Sequence, residues 1–168
     1  MSSNFVIRNF KDSDTEEMLS IFNSYIKTSF AAYPENDLTL DRLKKLIEPA
    51  KIILVIYNID DMIGFGYIAS FKPLPNFNHT GVLTYFLTDE YTGKGLGTKL
   101  FNELIERGKQ QGITNYIAHI SSKNDRSLNF HKKLGFAEVG RLKKVGIKFG
   151  EPFDIVWVQK NFSDDGVE

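Results

Sequence analysis

A glycine-rich stretch in the second half of the chain constrains the fold more than any other feature. The run YTGKGLGTKL, residues 91–100, places three glycines within five positions. It follows an apolar segment with strand character, GVLTYFLT at 81–88, and leads into the helical pattern GTKLFNELIERGKQQ, which ends at Gly112. Because glycine is unfavourable inside a helix and adds nothing to a core, the run predicts a specialised connection between strand and helix.

Such a connection is typical of an anion site, since the first N–H groups of a helix have no internal partner and glycine lets a phosphate approach them. Two phosphate motifs are excluded by the spacing. The P-loop pattern G-x-x-x-x-G-K-[ST] does not occur, and the dinucleotide pattern G-x-G-x-x-G fails because the third position after Gly93 and Gly95 is Thr98. Taken alone, the glycines would favour a tight turn that binds nothing.

The remaining pattern predicts strands with helices between them. Strands are expected at 4–10, in a hairpin of 51–59 and 62–71 joined at Asp60-Asp61, at 81–88, at 113–121, and on both sides of a turn at 149–152. Helices are expected after a capping box at 13–16, over 40–47 before Pro49, over 97–111, and from Asn124 to Leu134 before Gly135. The mixture predicts one α+β domain over 1–168, with a sheet that is partly antiparallel and partly parallel.

Composition excludes several classes of function. Lys+Arg and Asp+Glu balance at 21 each, so no overall field favours nucleic acid or an anionic membrane. The chain has no cysteine, and its three histidines lack ligand spacing, so we expect no metal site. The N-terminal residues lack the apolar core of a signal peptide, and we expect a cytoplasmic protein.

Two segments together resemble the GNAT superfamily of N-acetyltransferases. They are Gly95-Leu96-Gly97 after an apolar strand, and NDRSLNFHKKLGF at 124–136, in the right order with a strand between them. The resemblance narrows to the phosphinothricin-type branch through Ile7-Arg8, Leu134-Gly135-Phe136, Lys148-Phe149-Gly150 and His131. It implies a GNAT fold, a mixed and mostly antiparallel sheet of about seven strands with flanking helices, splayed between strands 4 and 5. It also implies acetyl-coenzyme A as co-substrate, a small-molecule amine as acceptor, and a homodimer.

The resemblance also implies the residues of the site. Coenzyme contacts are expected at Tyr85, Phe86, Leu87, Thr88, Thr92, Gly93, Lys94, Gly95, Leu96, Gly97, Thr98, Asn124, Ser127, Phe130, His131 and Lys133. For catalysis we expect the N–H of Leu87 to stabilise the oxyanion and His131 to protonate the leaving thiolate, spared from packing by its apolar neighbours. Phe30, Tyr33, Lys72, Phe77 and His79 are the candidate acceptor-binding residues.

The sequence departs from the branch where substrate recognition is expected. Counted back from Gly97, the glutamate that usually serves as general base falls on Val82, and another glutamate falls on Pro34. Arginines expected at 72, 74 and 78 are replaced by Lys72, Leu74 and Asn78. Phosphinothricin carries two anionic groups, which cationic side chains would hold. We therefore do not expect this chain to share the substrate of the branch.

The group that deprotonates the amine stays open at this point. His79 lies in the acceptor loop and fits a catalytic or a structural role equally, whereas His119, in a strand and opposite in phase to Tyr116 and Ala118, favours a structural role. The sequence therefore supports two hypotheses. One is an acetyl-coenzyme A-dependent N-acetyltransferase acting directly on a small primary amine, without an acyl-enzyme. The alternative is a coenzyme-binding module that has lost catalysis and acts as a sensor or partner-binding protein.

Overall fold

Seven strands form one sheet in the order β1-β2-β3-β4-β5-β7-β6 in the computed structural model, which describes residues 5–162. The strands are β1 Phe5–Asn9, β2 Ala50–Asn58, β3 Asp61–Ser70, β4 Thr80–Leu87, β5 Asn115–Ser121, β6 Ala137–Lys148 and β7 Glu151–Asn161. The helices are α1 Thr15–Thr28, α2 Leu40–Ile47, α3 Leu96–Gln110 and α4 Asp125–Lys133. No helix within 5–162 is long and apolar enough to cross a membrane.

Local sequence signals explain where the two helices nearest the predicted site begin and end. Helix α3 starts directly after Gly95, which adopts a left-handed conformation with φ of 78°. The side chain of Asn124 caps α4 by accepting a hydrogen bond from the N–H of Ser127 at 3.2 Å, and Gly135 follows the helix with φ of 84°. The predicted bounds of both helices are therefore confirmed to within a residue.

Two local predictions need correction, and two others extend beyond the described residues. The capping box at 13–16 is wrong, because α1 begins at Thr15 and the carboxylate of Asp14 instead accepts bonds from the guanidinium of Arg8 and the N–H of Lys11. The β2–β3 hairpin turns one residue earlier than predicted, because Asp61 already pairs with Asn58. Asn4, the predicted first residue of β1, lies outside the described residues, and the single domain over 1–168 stays a prediction at both ends.

The sheet opens between its fourth and fifth strands. Six of its strand pairs are defined, and all are antiparallel except β4 with β5. The parallel pair ends at Val82 opposite Ile117, although β4 continues to Leu87 and β5 continues to Ser121. The predicted splay between strands 4 and 5 is therefore confirmed, and it leaves one edge of β4 unpaired over its second half.

Helices cover the two faces of the sheet unequally. Helices α1 and α2 pack on one face, around Phe65 and Phe86, and we call this side the α1 face. Helix α3 packs on the other face, around Leu83, Ala118 and Ile120, with Phe130 of α4 at its margin, and we call this side the α3 face. Since side chains alternate along a strand, Val82 and Thr84 of β4 and His119 of β5 face the α1 side.

Candidate active site

The second half of β4 directs backbone groups into the splay. The N–H of Thr88 donates to the carbonyl of Ile63 at 2.8 Å, on the β3 side. Because bonded positions alternate in an antiparallel ladder, the N–H and C=O groups of Tyr85 and Leu87 point away from β3, into the gap toward β5. The hydroxyl of Tyr25 already donates to the carbonyl of Leu87. The N–H groups of Tyr85 and Leu87 are therefore placed to meet a ligand lying in the splay.

Thr88, at the end of this edge, carries a polar atom that suits a ligand. Its Oγ1 is buried and has no hydrogen-bond partner within residues 5–162. Since its N–H is held by Ile63 and the backbone of Phe86 lies on the same β3 side, these two residues would reach a ligand in the splay through atoms other than their N–H groups. A buried hydroxyl without a partner is costly, and a polar group of a ligand would satisfy it.

The glycine loop joins the splay to the start of α3. Gly93 and Gly95 have φ of 74° and 78°, and a Cβ added to either would meet no atom within 4 Å. The space beside these residues is therefore open, and the first N–H groups of α3, at Leu96, Gly97 and Thr98, face it without helical partners. This cradle fits a phosphate or pyrophosphate group.

Helix α4 borders the loop from the side of β5. The ring of Phe130 lies 3.4 Å from where a Cβ on Gly97 would be, so the two helices meet closely beside the splay. Arg126, in the first turn of α4, reaches back to Thr92 and Asp89 with its Nη1 at 3.3 and 3.0 Å. Lys133 is exposed in the last turn.

His131 and Tyr85 form a buried pair on the α3 face. Their rings stack at 5.4 Å with an interplanar angle of 17°, and the Tyr85 hydroxyl lies against Nε2 of His131. Nδ1 of His131 lies 2.7 Å from the carbonyl oxygen of Ser127, which can only accept, so Nδ1 carries the proton and Nε2 accepts from Tyr85. Burial lowers the pKa of His131, against a smaller raising effect of the Ser127 carbonyl, and burial raises the pKa of Tyr85.

The expectation that His131 is spared from packing is wrong. Its side chain is only 3% exposed and touches the rings of Phe130 and Phe136 as well as Tyr85. The neutral form of the imidazole is favoured by this burial. The proton that lies between the Tyr85 hydroxyl and Nε2 of His131 therefore belongs to the hydroxyl.

A second aromatic group lies on the α1 face, beside the other wall of the splay. The ring of Tyr33 stacks on His119 at 5.6 Å and on Phe153 at 5.8 Å, and Trp157 covers His119 at 5.2 Å. Phe30 joins the group through an edge contact with Phe153 at 5.7 Å. Burial raises the pKa of Tyr33 to about 12 and lowers the pKa of His119. Of the candidate acceptor residues, Phe30 and Tyr33 are thus brought together.

The other three candidates lie elsewhere. His79 is exposed and precedes β4, at the end where β4 and β5 still pair, and its carbonyl accepts from the N–H groups of Thr114 and Asn115. Lys72 is exposed and lies over the rings of Phe71 and Phe77, at 5.9 and 5.7 Å. At about 3.3 Å per residue along the strand, His79 is roughly 26 Å from Leu87. These residues are not assembled with the Tyr85–His131 pair.

Two contacts could not be predicted from the sequence pattern, because each joins segments that are far apart in the chain. Lys148, fully buried at the end of β6, donates from Nζ to the carbonyl of Ser29 at 2.7 Å and to that of Ala32, and so holds the loop that carries Phe30 and Tyr33. Burial lowers the pKa of Lys148. Tyr33 and His119 are 86 positions apart in sequence. The phase of His119 was the one signal that its side chain leaves the α3 face.

No group of three or more potential metal ligands occurs in the described part of the chain, from Phe5 to Phe162. Backbone N–H groups, phenols and imidazoles are the polar groups that the structure places around the splay.

Comparison with known proteins decides the family. The model of the acetyltransferase (GNAT) domain matches residues 7–157. The chain belongs to the GNAT acetyltransferase family. It is thus an enzyme of the N-acetyltransferase class, as the resemblance of its two motifs implied.

Individual relatives agree with this assignment. An L-methionine sulfoximine/L-methionine sulfone acetyltransferase of Pseudomonas paraeruginosa is 28% identical over 92% of this GNAT chain and 93% of its own. A phosphinothricin N-acetyltransferase of Alcaligenes faecalis is also 28% identical, over 92% and 81%. Among solved structures, YncA of Salmonella typhimurium, crystallised with its cofactor acetyl-CoA, has a TM-score of 0.83 at 24% identity, covering 97% of this chain and 96% of its own. This last likeness shows the fold.

Proposed function

We propose that this protein transfers the acetyl group of acetyl-coenzyme A directly to the primary amine of a small, amino-acid-like acceptor. The observation that carries the proposal is the splay, whose free β4 edge leads into the open glycine cradle at the start of α3. The names of the relatives, which act on methionine sulfoximine, methionine sulfone or phosphinothricin, support an acceptor of this class.

The residues present fit the coenzyme. The cradle of Gly93, Gly95 and the first N–H groups of α3 would hold the pyrophosphate, and the exposed Lys94, Arg126 and Lys133 add positive charge nearby. The pantetheine arm would extend along β4, beside the unpaired backbone edge of Tyr85 and Leu87. When bound, the coenzyme supplies the activated thioester.

Proton donation and acceptor binding would take place on opposite faces of the sheet. The N–H of Leu87 would stabilise the developing oxyanion without a side chain. On the α3 face, the Tyr85 hydroxyl, held by His131, would give a proton to the departing thiolate. On the α1 face, Phe30 and Tyr33 would line the acceptor site. With no cysteine in the chain, direct transfer is favoured over a thioester-linked enzyme.

The test is release of coenzyme thiol in the presence of a panel of amino acids, their sulfones and sulfoximines, and simple amines. We expect release to be stimulated by at least one member, with the N-acetyl product detected by mass spectrometry. Slow hydrolysis that no amine stimulates would support the alternative of a coenzyme-binding module. His79, Lys72 and Phe77 lie apart from the splay, so alanine at these positions tests whether they touch the acceptor.

Phosphinothricin is expected to be a poor acceptor. Leu74, Asn78 and Val82 are uncharged and Lys72 lies apart from the splay over the rings of Phe71 and Phe77, so these four positions do not supply the cations that two anionic groups need. The measurement compares kcat/KM for phosphinothricin with that of the best amine in the panel. A value for phosphinothricin at or above the usual enzyme range of about 10⁴ M⁻¹s⁻¹ would contradict the prediction.

A homodimer is expected in solution. Strand β6 is an edge of the sheet, and Val139, Leu142, Val145 and Ile147 on it are exposed by 58, 50, 53 and 70%. An apolar edge strand of this kind favours association. Light scattering at micromolar protein should give twice the chain mass, and Leu142→Glu with Ile147→Glu should shift the mass toward the monomer.

Val6→Glu is the matched control for the dimer. Val6 is 54% exposed and lies on β1, the opposite edge of the same sheet. A monomeric wild-type protein, or dissociation by Val6→Glu alone, would refute the β6 interface. The cytoplasmic location expected from the sequence stays a prediction.

A further inference from the structure

We propose that His119 is the general base that takes a proton from the acceptor amine. This inference rests on the acetyltransferase function proposed above and adds to it a catalytic side chain from β5. The sequence alone favoured a structural role for this histidine, and the placement of Tyr33 changes that interpretation.

Strand register puts His119 at the mouth of the splay. Val82 and Ile117 form the last parallel pair, with both side chains on the α1 face. Two residues further along each strand, Thr84 and His119 face one another across the widening gap on that same face. Val82, at the apex, offers no carboxylate. An amine approaching the splay from the α1 face would therefore meet the imidazole of His119.

Tyr33 selects the tautomer that a base requires. Its hydroxyl oxygen lies 3.1 Å from the backbone carbonyl oxygen of His119 and 3.1 Å from Nδ1 of the same residue. The carbonyl can only accept, so both contacts are hydrogen bonds together only when the single O–H proton of Tyr33 goes to the carbonyl and Nδ1–H donates to the phenolic oxygen. Nε2 is then the unprotonated nitrogen, and its lone pair is available to an incoming ammonium group.

The environment keeps the ring neutral and accessible at once. Tyr33 and Trp157 pack on the imidazole, and burial lowers its pKa, while the residue as a whole keeps an exposed edge. The Tyr33 phenol, whose pKa is raised to about 12, does not compete as a base near neutral pH. Beyond Tyr33, the charged groups of this loop region are Lys148 and Glu35, and β7 contributes the uncharged rings of Trp157 and Phe153.

The proton balance is complete without another reactant. Nε2 takes one proton from the ammonium form of the acceptor, giving imidazolium and a free amine. The amine nitrogen forms a bond to the acetyl carbon and the carbon–sulfur bond breaks. As the thiolate leaves, the Tyr85 hydroxyl gives its proton to the sulfur. The nitrogen of the acceptor loses its second proton, and this proton returns Tyr85 to the neutral phenol. Imidazolium then releases its proton to water.

The experiment uses the wild-type enzyme with its best amine and acetyl-coenzyme A. His119→Asn keeps an N–H that can donate to Tyr33 but has no basic nitrogen, and we expect kcat to fall about 100-fold at pH 7 while coenzyme affinity changes less than about threefold. The fall in kcat/KM of the wild type at acidic pH should have its midpoint below 6.5, because protonated Nε2 is inactive, and this limb should vanish in the variant. Added imidazole should partly restore His119→Ala.

Matched variants separate the base from a packing role. Tyr33→Phe keeps the ring that stacks on His119 but removes the hydroxyl that selects the tautomer, and it should lower kcat about tenfold. An active wild type whose His119→Asn variant keeps both rate and acidic limb would refute the base role alone. A wild type that no amine stimulates would overturn the proposed function and the base role together.

Discussion

Replacing Gly95 with valine is expected to weaken the binding of acetyl-coenzyme A at least tenfold. The space beside Gly95 is open in the cradle, so the added side chain would occupy the volume that the pyrophosphate needs. Because φ at this residue is 78°, valine also strains the backbone by roughly 1–2 kcal/mol, and the loop would shift its N–H groups. Isothermal titration calorimetry with the coenzyme measures the loss.

Gly112→Val is the matched control for that experiment. Gly112 ends the turn after α3 with φ of 76°, and a Cβ there also meets nothing within 4 Å. Both variants should therefore lose similar stability in thermal melts, but only Gly95→Val should lose coenzyme affinity. Unchanged affinity in a folded Gly95→Val protein, or an equal loss in both variants, would contradict the proposal that the coenzyme binds at the glycine cradle.

Breaking the Tyr85–His131 pair is expected to lower kcat about 100-fold. Tyr85→Phe is the sharper variant, because it deletes only the hydroxyl that faces His131 and keeps the stacked ring. His131→Ala should lower kcat similarly. It should also cost about 1–3 kcal/mol of unfolding free energy, since the imidazole is buried and hydrogen-bonded.

The effects of the Tyr85 and His131 substitutions on kcat should not be additive. If Tyr85 and His131 act as one proton-donating unit, the double variant should be no slower than either single one. Steady-state kinetics with the best acceptor, together with coenzyme affinity by calorimetry, give the comparison. Normal kcat in Tyr85→Phe would eliminate the acid role of the phenol and leave the pair as a structural contact.

Local signals in the sequence were enough to predict the strand, the glycine loop and the two helices beside the splay. The glycine run, the Asn124 cap and Gly135 act within a few residues, so strand, loop and helix follow from composition and spacing. The capping box failed because Asp12–Asp14 form a short 3-10 helix that contains Ser13, with Asp14 held by the ion pair to Arg8, and α1 therefore begins only at Thr15. The sequence pattern does not show contacts between different structural elements.

The proposed acceptor side of the splay depends on such distant contacts. His119 takes its tautomer from Tyr33, and the loop of Tyr33 is held by Lys148, which is 119 positions from Ser29. The apolar neighbours of His131 gave no indication that Tyr85 would bury it, since that requires the register of β4 against α4. Strand phase predicted that the side chain of His119 leaves the α3 face, and only the assembled sheet showed that Tyr33 is its partner.

The central claim is that the acetyl group passes directly from a coenzyme in the splay to an amine on the α1 face, with both bound at once. Initial rates measured while both substrates are varied test it most directly. The account predicts intersecting double-reciprocal lines, and no change in the intact mass of the protein after incubation with acetyl-coenzyme A alone. Parallel lines together with a gain of one acetyl group on the protein would contradict it.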